Sequence, residues 1–133
     1  MLAKTITFTD YNGTERTETF YFNLSKVELV KLESENEGLT EQLKSIAENP
    51  DPKKIIAIFE MLIEKSVGIK SDDGIRFMKS KEITEKFMQS PAYDALFVEL
   101  LGNQELASDF MTGLIPSDLA AKAKEEEQKQ IEQ

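Results

Sequence analysis

The 133-residue chain contains no cysteine and no histidine. Without cysteine there are no disulfides, thiolate zinc sites or thiol nucleophiles, and without histidine every mechanism built on an imidazole base is excluded. Glycine is scarce as well: six are scattered along the chain, each explained by a turn or a cap, so no phosphate-binding glycine loop is present. Long apolar runs are missing too. The longest, Ile55 to Ile63, is broken by Glu60 and falls far short of the roughly 20 residues that span a bilayer. Met1-Leu2-Ala3-Lys4 enters a strand and does not form a signal peptide, so a soluble, intracellular protein is expected.

Positive charge is in deficit. Sixteen lysines and arginines face 25 aspartates and glutamates, for a net charge of −9 and a pI near 4.6. Residues 117–133 carry −2 of this, leaving −7 on the body. An acidic body without a basic stripe argues against nucleic-acid binding, which depends on phosphate neutralisation. Forty per cent hydrophobic residues argues against wholesale disorder. The length suits one domain, large enough to bury roughly two-thirds of its unfolded surface.

What is present begins with a β-hairpin. Leu2, Ile6 and Phe8 alternate with Thr5, Thr7 and Thr9; after the turn Phe20, Phe22 and Leu24 alternate with Thr19, Tyr21 and Asn23. A two-residue Asn12-Gly13 turn would put the two apolar sets on opposite faces. A three-residue loop, Tyr11-Asn12-Gly13, pairs Phe8 with Arg16, Ile6 with Glu18 and Leu2 with Phe22, and collects them on one face. Asp10 at the first turn position and Gly13 in the left-handed region suit that loop. The other face is largely threonine, and the edges are exposed or paired with another copy. Ser25-Lys26-Val27-Glu28 is a capping box directly after Leu24, so strand gives way to helix without a linker.

From Ser25 onward the pattern is helical. Val27, Leu29, Val30 and Leu32 form the first apolar stripe, and Leu39, Leu43 and Ile46 a second. Asp51-Pro52 caps and opens a third helix that runs to about Val67, with Gly68 as its C-cap. This helix carries Ile55, Ile56, Ile58, Phe59, Met61, Leu62 and Ile63 and is expected at the centre of the core, or with part of its surface against another subunit. Residues 68–80 form a connection with polar turn residues. Ser80 caps a helix over 81–89, Ser90-Pro91 opens one over 91–101, and Asn103 caps the next, with Leu106, Phe110, Met111 and Leu114. Pro116 closes the packed domain. The expected architecture is α+β: a hairpin (2–24) packed on about six helices (25–115) within a single domain of residues 1–119, followed by a polar, frayed tail over 120–133.

Placing Gly74 of Asp72-Asp73-Gly74 at the sixth position of an EF-hand loop puts Ile69 first and Ser80 twelfth, where carboxylates are required. A solvated turn is the better reading. Glu33 and Glu35 lie in acidic, polar surroundings with no sign of burial and read as solvated surface, and Glu125-Glu126-Glu127 is a solvated charge run. No catalytic, metal or cofactor residue is assigned, and no enzyme activity is expected. Met61, Met78, Met88 and Met111 lie among apolar neighbours and read first as core packing, second as an adaptable binding surface. Phe77, Met78, Phe87 and Met88 flank one short connection and helix and are the candidate partner-facing patch.

Three segments resemble one family. The block from Lys4-Thr5-Ile6-Thr7 through Asn12-Gly13 to Thr19-Phe20-Tyr21-Phe22-Asn23-Leu24-Ser25 resembles the start of tail assembly chaperones from long-tailed phages and prophages of Gram-positive bacteria. The stretch from Ser71-Asp72-Asp73-Gly74 to Phe77-Met78-Lys79-Ser80 and the closing Leu114-Ile115-Pro116-Ser117-Asp118-Leu119 are similar to the same family. The resemblance spans about residues 1–119, and none of its motifs is catalytic. It implies a non-structural protein of the bacterial host cytoplasm, not expected in the mature virion. Such a protein binds the tape measure protein, helps recruit the tail tube protein, and commonly forms homo-oligomers. Related chaperones are often also made in a longer, frameshifted form, for which the polar tail is a suitable starting point. Neither nucleic acid nor membrane is implied. Two other readings compete: an acidic inhibitor or nucleic-acid mimic acting on a basic host protein, which needs carboxylates along one face, and a carboxylate- or lysine-based enzyme.

Overall fold

Asp10 organises the first turn. Its backbone N–H donates to Thr14 O (2.9 Å), and its Oδ1 accepts from the amides of Asn12 and Thr14, both at 2.9 Å. Gly13 has φ of 81°, a left-handed conformation that is cheap only without a Cβ. The loop is therefore three residues long. Strand β1 (Leu2–Thr9) pairs antiparallel with β2 (Glu15–Phe22), with Phe8 opposite Arg16, Ile6 opposite Glu18 and Leu2 opposite Phe22, as expected. On the outer face, threonine hydroxyls pair across the strands, Thr5 with Thr19 at 2.9 Å and Thr7 with Thr17 at 3.0 Å.

The computed structural model describes residues 1–35, 42, 45, 48, 49 and 51–114. Within them the α+β architecture holds, with one addition to the expected plan. Residues 68–80, expected as a polar connection, instead carry β4 (Phe77–Met78) and most of β3 (Val67–Lys70). These complete a four-stranded antiparallel sheet in the order β1-β2-β3-β4. Gly68, expected as a helix C-cap, lies inside β3 opposite Tyr21. The preceding helix stops one residue short of expectation, at Ser66, where Val67 serves as C-cap and donates to Ile63 O.

Five helices are present among the described residues, against about six expected. They are α1 (Lys26–Glu35), α2 (Pro52–Ser66), α3 (Lys81–Met88), α4 (Pro91–Gly102) and α5 (Gln104–Leu114). The stripe Leu39, Leu43 and Ile46, the closing Pro116 and the tail over 120–133 lie outside the described residues.

Local capping chemistry accounts for most helix starts. Glu28 N donates to Ser25 Oγ at 3.1 Å and Ser25 N to Glu28 Oε1 at 3.0 Å, the reciprocal bonds of a capping box. Asp51 accepts from Lys53 N ahead of Pro52, Ser80 from Ile83 N, and Asn103 from Leu106 N. Ser90 departs from the pattern: its hydroxyl donates back to Phe87 O (2.7 Å) and closes α3 instead of capping α4.

Helix α2 is the core helix, with Ile58, Phe59, Leu62 and Ile63 all buried. They share one buried hydrophobic cluster with Phe22 and Leu24 from the hairpin, Leu96 and Leu100 from α4, and Leu114 from α5. The end of α5 is tied to the hairpin by a hydrogen bond from Leu24 N to Leu114 O (2.9 Å). The stripe expected on α1 divides in two. Leu32 is buried and Leu29 half-buried, whereas Val27 and Val30 are exposed. At about 100° per residue, both valines lie at least 100° round the helix from Leu29.

Candidate client-binding surface

The β3–β4 loop is held from several directions. Ser71 Oγ donates to Asp73 Oδ1 (2.6 Å) and accepts from Arg76 N (3.0 Å), while Ile75 N donates to Asp73 Oδ1 (3.0 Å). Ser71 also pairs through its backbone, donating to Arg76 O and accepting from Gly74 N. The Ser71 hydroxyl, helped by the Ile75 amide, holds the Asp73 carboxyl below the usual carboxylate range. Its Oδ1 thus accepts twice from its own loop. At the tip of this fixed loop, Ile75 is 82% exposed.

Strand pairing places the neighbours of Ile75 on defined faces. Tyr21 is opposite Gly68, and Lys70 opposite Phe77, so Phe77 shares the outer face with Tyr21 and the threonines. The Phe77 ring lies across the position where a Cβ on Gly68 would be. Ile69 and Met78 face each other on the opposite side of this hairpin, Ile69 at 48% exposure and Met78 half-buried. The β3–β4 end thus carries apolar side chains on both faces of the sheet, Phe77 on one and Ile69 with Met78 on the other, with Ile75 at the loop tip.

Lys79 fixes that end to the rest of the domain. Its ammonium donates to Asn23 O (2.7 Å) after β2, Lys65 O (2.7 Å) in the last turn of α2, and Glu28 Oε2 (2.5 Å) in the α1 cap. It also sits 5.7 Å from the Phe77 ring centroid, within cation–π range. Burial pushes the Glu28 carboxyl up, but hydrogen bonds from Lys79 and Ser25 and the Lys79 charge outweigh it, leaving the group below its ordinary value.

Of the four residues proposed from sequence, Phe77 and Met78 come together on β4, both half-buried. Phe87 is in the core at 3% exposure, its ring centroid 4.9 Å from that of Phe20 and 5.5 Å from that of Phe22. Met88 is half-buried and packs against the same core. Sequence reasoning missed Ile69 and Ile75. The available signal was an isoleucine directly after an Asp-Asp-Gly turn, a position where folding has no use for a large apolar side chain. Further exposed apolar residues lie on helices, Val27 and Val30 on α1 and Val98 and Leu101 on α4.

The remaining shifted group serves the fold. The Tyr93 phenol is raised by burial and by the nearby charges of Glu60, Asp94 and Glu64. Its ring packs on Phe87 and Phe97. Among the described residues no three acidic side chains converge as metal ligands. No helix among them is long and apolar enough to cross a membrane.

No curated protein and no solved structure matches the chain. A family model described as phage tail assembly chaperone matches residues 1–133. With its whole length matched, the chain belongs to the phage tail assembly chaperone family.

Proposed function

We propose that this chaperone binds the tape measure protein, keeps that long apolar helical chain soluble during tail assembly, and brings it to the tail tube protein. Family membership supports a tail-protein partner in general. The observation that carries the finer reading is the exposure of Ile69 and Ile75, beside half-buried Phe77 and Met78, at a β3–β4 end fixed by a hydrogen-bonded loop on an otherwise acidic body. Apolar side chains that folding leaves outside supply contact area for a hydrophobic client, and the net charge of −9 keeps the complex in solution. In this reading the protein acts by contact, in the host cytoplasm, and leaves before the virion is complete. Co-expression with the cognate tape measure protein tests the proposal. A co-purifying complex and a larger soluble fraction of the client are expected; no complex and no gain in solubility would overturn it.

A further inference from the structure

Helix α4 is apolar on every side. Between Pro91 and Gly102 its only charged residues are Asp94 and Glu99. A helix of that composition normally lies wholly inside a protein. Here one side does, with Ala92, Leu96 and Leu100 buried. On the opposite side Asp94, Val98 and Leu101 follow at i, i+4 and i+7 and form a single row. Val98 is 69% and Leu101 46% exposed. Beside the row, half-buried Phe97 meets Phe59 of α2 edge-on, with ring centroids 6.5 Å apart, and half-buried Tyr93 lies 5.6 Å from Phe97. Row and rings join into an apolar strip along α4, bordering α2, that the described residues leave open.

The charge around the strip has one sign. Residues 91–114 hold four acids and no lysine or arginine. Glu99 is met by Lys4 of β1 at 3.0 Å. Asp94 is joined instead by Glu60 and Glu64 of α2. All three are exposed, and their charges, after burial, raise the Tyr93 phenol that they surround. Among the described residues none of the three forms an ion pair. The lysines of α2 stand off. Lys53 and Lys54 lie about 9 Å or more along the axis from Glu60, and Lys65 is turned at least about 100° from both glutamates. The opposite holds at the β3–β4 end, where residues 65–81 carry five cations against two acids.

We infer that the α4 strip is a second docking surface, for an amphipathic helix of a partner protein whose apolar ridge is flanked by lysine or arginine. Such a helix sets apolar residues spaced three and four apart against Val98, Leu101 and Phe97. Its flanking cations then reach Asp94, Glu60 and Glu64. The apolar contact supplies the area, and the exposed carboxylates select the partner by charge. Other occupants match poorly. Nucleic acid and anionic lipid carry the same sign as the rim, and residues 117–133 of the chain itself are net negative at −2. This docking does not depend on client binding at the β3–β4 end.

The test uses the full chain and two synthetic helical peptides of about 18 residues. Both carry leucines at i, i+3, i+4 and i+7, and they differ only in having lysine or glutamate on the flanks. By fluorescence anisotropy in about 0.15 M salt, the lysine peptide is expected to bind, and the glutamate peptide about tenfold more weakly or less. Two variants read the site itself. Val98→Asp with Leu101→Asp adds two negative charges, so bulk attraction alone would tighten binding of the lysine peptide. Loss of the apolar row is expected to weaken it about tenfold instead. Glu60→Lys, Glu64→Lys and Asp94→Lys together are expected to reverse the preference toward the glutamate peptide. These three positions are exposed, so the charge swap keeps the test open should the aspartate pair unfold. Lysine-peptide binding weaker than about 1 mM, as when a segment of the chain itself covers the row, overturns the proposal. So does equal affinity for the two peptides, tighter binding to a folded aspartate pair, or a preference that survives the charge swap.

Discussion

The Lys79 ammonium lies 2.5 Å from Glu28 Oε2 and joins the end of β4 to the cap of α1, 51 positions earlier in the chain. The same nitrogen takes the carbonyls of Asn23 and Lys65, so one charge holds the C-terminal ends of β2 and α2 to that cap. Lys79→Met keeps the stem and loses all three bonds. It is expected to lower unfolding free energy by about 2 kcal/mol, measured from the urea midpoint at constant slope. An unchanged midpoint would show that the pair is solvated and carries no stability.

Acid should expose the same site. The Glu28 carboxyl is held below its ordinary value of 4.5 in the folded chain, because the bonds from Lys79 and Ser25 outweigh the opposing effect of burial. A group with a depressed folded value binds fewer protons in the folded state, so its contribution is complete above the ordinary value and is lost as pH falls through the folded one. Urea midpoints measured from pH 6 downward should fall below about pH 4.5, and the fall should be shallower in Glu28→Gln. Equal slopes in the two proteins would assign the acid limb to other carboxylates.

Gly68 is required by contact and not by backbone angle. A Cβ at this position would collide with Phe77 Cε1 and come within 2.7 Å of Met78 O. Gly68→Ala is therefore expected to destabilise by about 1–3 kcal/mol, as overpacking does. Adding Phe77→Ala removes the ring clash but leaves the carbonyl, so the double variant should recover only part of the loss. A double-mutant cycle reads that coupling; strict additivity would mean that β4 moves freely away from β3.

These sites also mark where the sequence was legible. The hairpin register follows from parity alone, because sliding one strand by a residue turns Ile6 and Phe8 to the threonine face. Ser25, Asp51, Ser80 and Asn103 announce helix starts by chemistry confined to a few neighbouring residues. Strand β4 was not legible, since two residues carry no period. Gly68 misled because a helix end and a close strand crossing both favour a residue without a Cβ. The valines of α1 misled for a different reason: four apolar residues in a ten-residue helix cover too wide an arc to point at one face. At the candidate surface, Phe77 and Phe87 look alike in sequence, each beside a methionine. What separates them is that β4 ends a sheet, whereas the face of α3 bearing Phe87 packs on Phe20 and Phe22.

That separation gives the sharpest test of the surface. Ile75→Ser and Ile69→Thr change side chains that are 82% and 48% exposed, and both should leave stability within about 0.5 kcal/mol of the parent. If the β3–β4 end contacts the client, each should reduce recovery of the tape measure complex at equal expression, and together they should abolish it. Phe87→Ala empties a core position at 3% exposure and should cost about 3–5 kcal/mol. It should lose client only in step with its own unfolding, followed by circular dichroism over the same temperature range. Full client recovery with the doubly substituted surface would move the contact elsewhere, to the exposed valines of α1 or to Val98 and Leu101 of α4, where Val30→Asp and Val98→Asp would then be the discriminating variants.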